Sequence, residues 1–99
     1  MALTHWAFIY TAPGVEPGGQ WTTVDTQACR TELVAIQSVE HVVAAAERLA
    51  DQGTQLIELC GAFGPLWTAK VIEAVGGRVP VGAVGYGPEA VDPLHAIFS

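Results

Sequence analysis

The residues best able to do chemistry in this 99-residue chain lie in one run, Leu56-Ile57-Glu58-Leu59-Cys60, and in the glycine turn that follows it. Successive side chains of a strand point to opposite faces, so Leu56, Glu58 and Cys60 share one face while Ile57 and Leu59 share the other. The wholly apolar pair suits packing beneath helices, which sends Glu58 and Cys60 to the face that helices leave uncovered. A buried carboxylate without a partner is costly, so Glu58 is expected to be paired, partly hydrated or protonated. Such a group can serve as a general acid or base. The structural alternative is a salt bridge or hydrogen bond to backbone amides or to a neighbouring subunit. Cys60 stands at the carboxyl end of the strand with no histidine near it in sequence to act as a base. That favours a packing role over a nucleophilic one.

The turn Gly61-Ala62-Phe63-Gly64 joins this strand to a helix opened by Pro65. Ligands of parallel sheets bind at the carboxyl ends of strands, and free amides at a helix start favour anions. A carboxylate, phosphate or enolate oxygen is therefore expected against residues 61–64. Lys70 lies too far into the helix for a phosphate-binding loop, and no G-x-G-x-x-G follows a strand. A second glycine cluster, GAVGYG at 82–87, brings Gly85 and the hydroxyl of Tyr86 to the same edge. Tyr10 and Thr11, at the end of the first strand, are candidates to orient a substrate. Trp21, in a glycine-rich stretch, is a candidate to cover an apolar one. His5, His41 and His95 are too far apart in sequence to form a metal-ligand pair, and His41 falls on a polar helix face. No metal or cofactor is expected.

These groups need a frame. Residues 5–12, HWAFIYTA, are aromatic and β-branched and stop at Pro13-Gly14, which predicts a strand. Residues 13–30 read as a loop with at most one helical turn, long enough to be a binding loop or a disordered excursion. A second strand spans 31–37. Ser38 starts a helix running to about Gln52, with Val39, Val42, Val43, Ala46, Leu49 and Ala50 on one stripe and Gly53 as its stop. A third strand covers 55–60, a second helix runs from Gly64-Pro65 to Val75, and a fourth strand spans about 79–84. The tail from Gly85 onward is read as a short helix or an edge strand. The alternation predicts a single small α/β domain over 1–99. Its sheet is mainly parallel, with four to five strands and two principal helices, like part of a β/α barrel or a flavodoxin-like fold. In sequential strand order both helices fall on one face, and the tail, the loop or another subunit must cover the other.

Composition narrows the partners. The chain is 51% hydrophobic and only 14% charged, apolar for a small monomer, so burial of surface in a homo-oligomer is expected. The net charge is −6, and the four basic residues are scattered, which argues against nucleic acid. No apolar run has the length of a membrane span, and the N-terminus lacks signal-peptide character. Two cysteines make no disulfide framework. These features predict a cytoplasmic protein with a small-molecule ligand.

AFIYTAPG at 7–14, IELCGAFG at 57–64 and VGGRVPVGAVGYG at 75–87 together resemble a family of small, uncharacterised bacterial α/β proteins, a domain of unknown function. The turn Glu58-Leu59-Cys60-Gly61-x-Phe63-Gly64 is the most specific part. The resemblance implies a compact α/β fold and transfers no reaction.

The expectation is a small oligomeric α/β enzyme doing cofactor-free acid–base chemistry on a carbonyl- or carboxylate-bearing molecule: isomerisation, cyclisation, elimination or hydration. Glu58, Cys60 and Tyr86 are its catalytic candidates. Tyr10, Thr11, Trp21, Gly61, Ala62, Phe63, Gly64 and Gly85 are its binding candidates. The alternative is a non-catalytic metabolite-binding or protein-interaction module using the same pocket. A third is a structural subunit in which a neighbour's Arg30 or Arg78 caps Glu58.

Overall fold

A computed structural model describes residues 2–99. Its elements are β1 (His5–Thr11), β2 (Gln20–Asp25), β3 (Arg30–Ile36), a 3-10 turn (Val39–His41), α1 (Val42–Asp51), β4 (Ile57–Leu59), α2 (Gly64–Val75), β5 (Val81–Ala83), a second 3-10 turn (Pro88–Ala90) and α3 (Val91–Phe98). The chain is a single α/β domain built on a five-stranded mixed sheet in the order β2-β3-β1-β4-β5. All pairs are parallel except β2 with β3.

The stretch expected to be a loop holds β2. Its residues QWTTVD carry the β-branched and aromatic types that favour strands. They pair antiparallel with β3, the next strand, across residues 26–29, with Trp21 opposite Val34 and Thr23 opposite Glu32. The tail forms a helix, so the described residues hold three α-helices.

Both crossovers run the same way across the sheet, β3 to β4 over β1 and then β4 to β5. The two helices therefore lie on one face and pack together. That face supplies the core: Ala7 and Ile9 of β1, Val34 and Ile36 of β3, and Ile57 and Leu59 of β4, against Val42, Ala46 and Leu49 of α1 and Val71 and Val75 of α2. Parity sends Trp6, Phe8 and Tyr10 to the opposite face with Leu33 and Glu58. Phe8 and Tyr10 stack there with centroids 5.9 Å apart, half-buried and crossed by neither α1 nor α2. The parallel strands follow the order 2-1-3-4 of flavodoxin-like sheets, not the sequential order of a barrel fragment. In chain order β2 takes the place of the first helix of such a fold, but it extends the sheet edge and covers neither face.

Candidate site at the carboxyl ends of β1 and β4

The strand order creates a switch point. β1 leads away toward β3 while its neighbour β4 leads the opposite way toward β5, so the connections diverge above the β1–β4 pair and leave a crevice. The ladder holds the two strands together up to its rim, where the Cys60 amide donates to the Ile9 carbonyl at 3.0 Å. A cavity of about 640 Å³ lies in this place, lined by Thr11, Pro13, Cys60, Gly61, Ala62, Tyr86, Leu94 and Phe98. The volume falls within the ~300–1,000 Å³ range of ligand pockets, and the lining is mostly apolar with a few polar groups.

Those polar groups are unspent. The Thr11 hydroxyl, the Cys60 thiol and the Tyr86 hydroxyl have no hydrogen-bond partner among the described residues. The amides of Gly61 and Ala62 likewise donate to no group there. The turn closes with Phe63 N–H donating to the Cys60 carbonyl at 3.3 Å, and α2 begins at Gly64 with φ of +68°, a conformation that favours glycine. Glycine at 61 has a different cause. A Cβ there would sit 2.7 Å from Cε2 of Tyr86, so the tyrosine ring packs directly on the backbone of the turn.

Five of the eleven residues singled out from sequence, Thr11, Cys60, Gly61, Ala62 and Tyr86, therefore meet in one place. The others do not line this cavity. Phe63 is buried in the core, because its position at the foot of α2 turns it inward. Trp21 is no lid: it belongs to edge strand β2, packs on the core beside α1, and carries the Arg48 guanidinium 4.2 Å from its ring centre. Tyr10 lies on the open sheet face. Gly64 and Gly85 line a neighbouring cleft with α2. Glu58 does lie on the face away from the helices, in register with Phe8 and Gly82. It borders a small recess of about 200 Å³ with Gly82, Ala83 and Val84. It makes no ion pair or hydrogen bond among the described residues. The arginines considered as its partners are engaged within the chain, Arg30 with Glu32 at 2.8 Å and Arg78 with Asp51 at 2.6 Å.

Two features escaped the sequence reading. Leu94 and Phe98 roof the cavity from α3. Their spacing with Val91 (i, i+3, i+7) is a helical stripe, readable once the tail is known to be helical. The second is a polar cluster at the opposite, amino end of the sheet. Glu32, 4% exposed, accepts from the Thr23 hydroxyl at 3.0 Å, pairs with Arg30, and faces Nε2 of His5 at 3.6 Å. His41 is half-buried at the start of α1, not on a fully solvated face.

Residues 4–99 match the model of a family described as "Family of unknown function (DUF6506)". The chain belongs to that family. Neither a curated protein nor a solved structure matches it. No helix among the described residues of this DUF6506 protein is long and apolar enough to cross a membrane.

Proposed function

We propose that this DUF6506 domain binds a small, largely apolar molecule bearing a carbonyl or carboxylate, with the polar group against the Gly61–Ala62 amides. One observation carries the reading: the crevice that the strand order dictates coincides with a ligand-sized cavity whose donors are unspent. Thr11 and Tyr86 would orient the ligand, and the apolar floor and roof would bury its body. The Gly61–Ala62 amides lie just ahead of the amino end of α2, whose dipole favours an anionic oxygen nearby. Hexanoate and 2-octanone, titrated separately while amide NMR shifts are followed, test this. Saturable shifts centred on Gly61, Ala62 and Tyr86 are expected with hexanoate. If neither probe moves these signals, the reading fails.

A second reading, cofactor-free acid–base catalysis, is favoured by Glu58, a carboxylate without a partner one strand repeat, roughly 7 Å, before Cys60 on the same face. A ligand extending from the crevice along β4 would bring a proton within its reach. With a turned-over substrate in hand, Glu58→Gln should lower kcat by about 10²-fold or more. Unchanged turnover assigns Glu58 to binding or to an interface.

The open sheet face also favours a homo-oligomer. Parallel strands are usually covered on both sides, and here Phe8, Tyr10 and Leu33 are only half-buried. Sedimentation of the purified chain should give more than one copy. The two free cysteines fit a reducing, cytoplasmic compartment.

A further inference from the structure

The cavity at the switch point has a neighbour. A cleft of about 600 Å³ runs between α2 and the segment after β5, lined by Gly61, Gly64, Pro65, Thr68, Ala69, Ile72 and residues 83–86. Gly61 and Tyr86 belong to both spaces, and Tyr86 packs on Gly61. The tyrosine ring is therefore the wall between them. Nothing in the surrounding backbone fixes that wall. The last ladder bond of this segment is Val84 N–H to the Leu59 carbonyl at 2.9 Å, and the next backbone bond is accepted by Gly87. Tyr86 itself is 62% exposed and stands between Gly85 and Gly87, the residue type with the least backbone restriction.

On the far side of the wall, Pro65, Thr68, Ala69 and Ile72 form one stripe of α2, spaced i, i+3, i+4, i+7. At about 1.5 Å per residue the stripe is roughly 10 Å long. It offers methyl and methylene surface, with the Thr68 hydroxyl already donating to the Gly64 carbonyl at 2.7 Å. Ile72 stays half-exposed along it, and no charged residue lines either space.

From this geometry we infer that Tyr86 divides a two-lobed site for an elongated amphiphile, a medium-length alkyl or acyl chain with a carbonyl or carboxylate head. The head rests at the Gly61–Ala62 turn. The chain displaces the Tyr86 ring and lies along the α2 stripe, so Tyr86 and Ile72 set the chain length accepted. The inference rests on the binding reading above and adds the ligand's shape and class to it.

Calorimetric titration with hexanoate and decanoate tests it. With its head at the Gly61–Ala62 turn, hexanoate is short enough to stay in the first lobe, whereas decanoate is long enough to reach the α2 stripe. Each fully buried methylene is worth roughly a factor of four in affinity, so in an open cleft four more should favour decanoate by at least tenfold. Ile72→Glu, at a half-exposed position, should remove that preference and leave hexanoate affinity within about twofold. Tyr86→Ala, which removes the wall, should keep or raise the decanoate-to-hexanoate ratio. Gly61→Ala forces the ring off the turn and should change the decanoate-to-hexanoate ratio more than the melting temperature. A decanoate preference equal in wild type and Ile72→Glu, or none in the wild type while hexanoate still binds, overturns the two-lobed site and leaves the cavity reading standing. Binding of neither acid overturns both.

Discussion

The two ends of the same sheet use polar residues in opposite ways. At the amino end Glu32 is buried, yet Arg30, Thr23 and His5 converge on it from three strands. At the carboxyl end Thr11, Cys60, Tyr86 and two backbone amides surround a cavity and have no partners among the described residues. Buried polar groups are costly unless partnered. The Arg30 ion pair and the Thr23 bond make the Glu32 cluster architecture, although Glu32 Oε1 and His5 Nε2 stay buried without a hydrogen bond among the described residues. The half-buried and exposed groups around a ligand-sized space are read as a site. Residue type alone does not separate them: Glu32 is the more deeply buried carboxylate and His5 the better general base by chemistry, yet neither borders the crevice.

The contrast can be broken by substitution. Arg30→Ala leaves Glu32 buried and without its cation, and breaking such a pair costs up to about 3–5 kcal/mol. Because Arg30 is itself half-exposed, about 2 kcal/mol is expected. In a domain this size that lowers Tm by roughly 8–16 °C in thermal unfolding, with hexanoate binding by the remaining folded protein unchanged. Glu32→Gln keeps the shape and the bond from Thr23 but loses the charge, and should cost less, about 1 kcal/mol. If either variant abolished binding at a temperature where it is folded, the amino end would be part of the site.

At the carboxyl end the order reverses. Tyr86→Phe should alter stability by under about 0.5 kcal/mol, since its hydroxyl has no partner to lose. Hexanoate affinity should fall several-fold if that hydroxyl binds the head group. Cys60→Ser should be similarly quiet in stability and is read in the same titration. A large loss of Tm in either would place these residues with the architecture.

The smallest effect is one of pH. The Ser38 hydroxyl, then the residue's own backbone amide, hold the Glu40 carboxyl below its ordinary value of 4.5. A depressed folded-state value adds stability above the ordinary one, and this is lost as pH falls through the folded value. Glu40 is fully solvated, so Glu40→Gln should only slightly flatten the acid limb of a Tm-against-pH curve below about pH 4.5.

Much of the frame was legible because its signals are local. Ile57 and Leu59 against Glu58 is a period-two pattern, and the α1 stripe ending at Gly53 is a helical one. Both kinds of periodicity survive without tertiary context. The turn from Cys60 to Gly64 was legible for the same reason, since glycine and proline punctuate a chain wherever it folds. β2 was not, because an edge strand exposed on both faces except at Trp21 carries no alternating pattern and becomes a strand through its pairing with β3. The roof of the cavity was hidden in the same way: Leu94 and Phe98 are thirty or more residues from Cys60, and nothing in their own spacing says which surface they meet.

Unaided, the sequence determined an α/β domain with a mainly parallel sheet, helices on one side of β4, and Glu58 on the other. These follow from alternation and amphipathic spacing, which are properties of short segments. Tertiary structure alone decided that β1 lies between β3 and β4, and so where the connections diverge. It also decided that Tyr86, twenty-five residues after Gly61, closes on it, and that Glu58 opens onto a small recess apart from the crevice. Those outcomes depend on strand order and on contacts between distant segments. A periodic pattern specifies which face a residue occupies but not which neighbour that face will have.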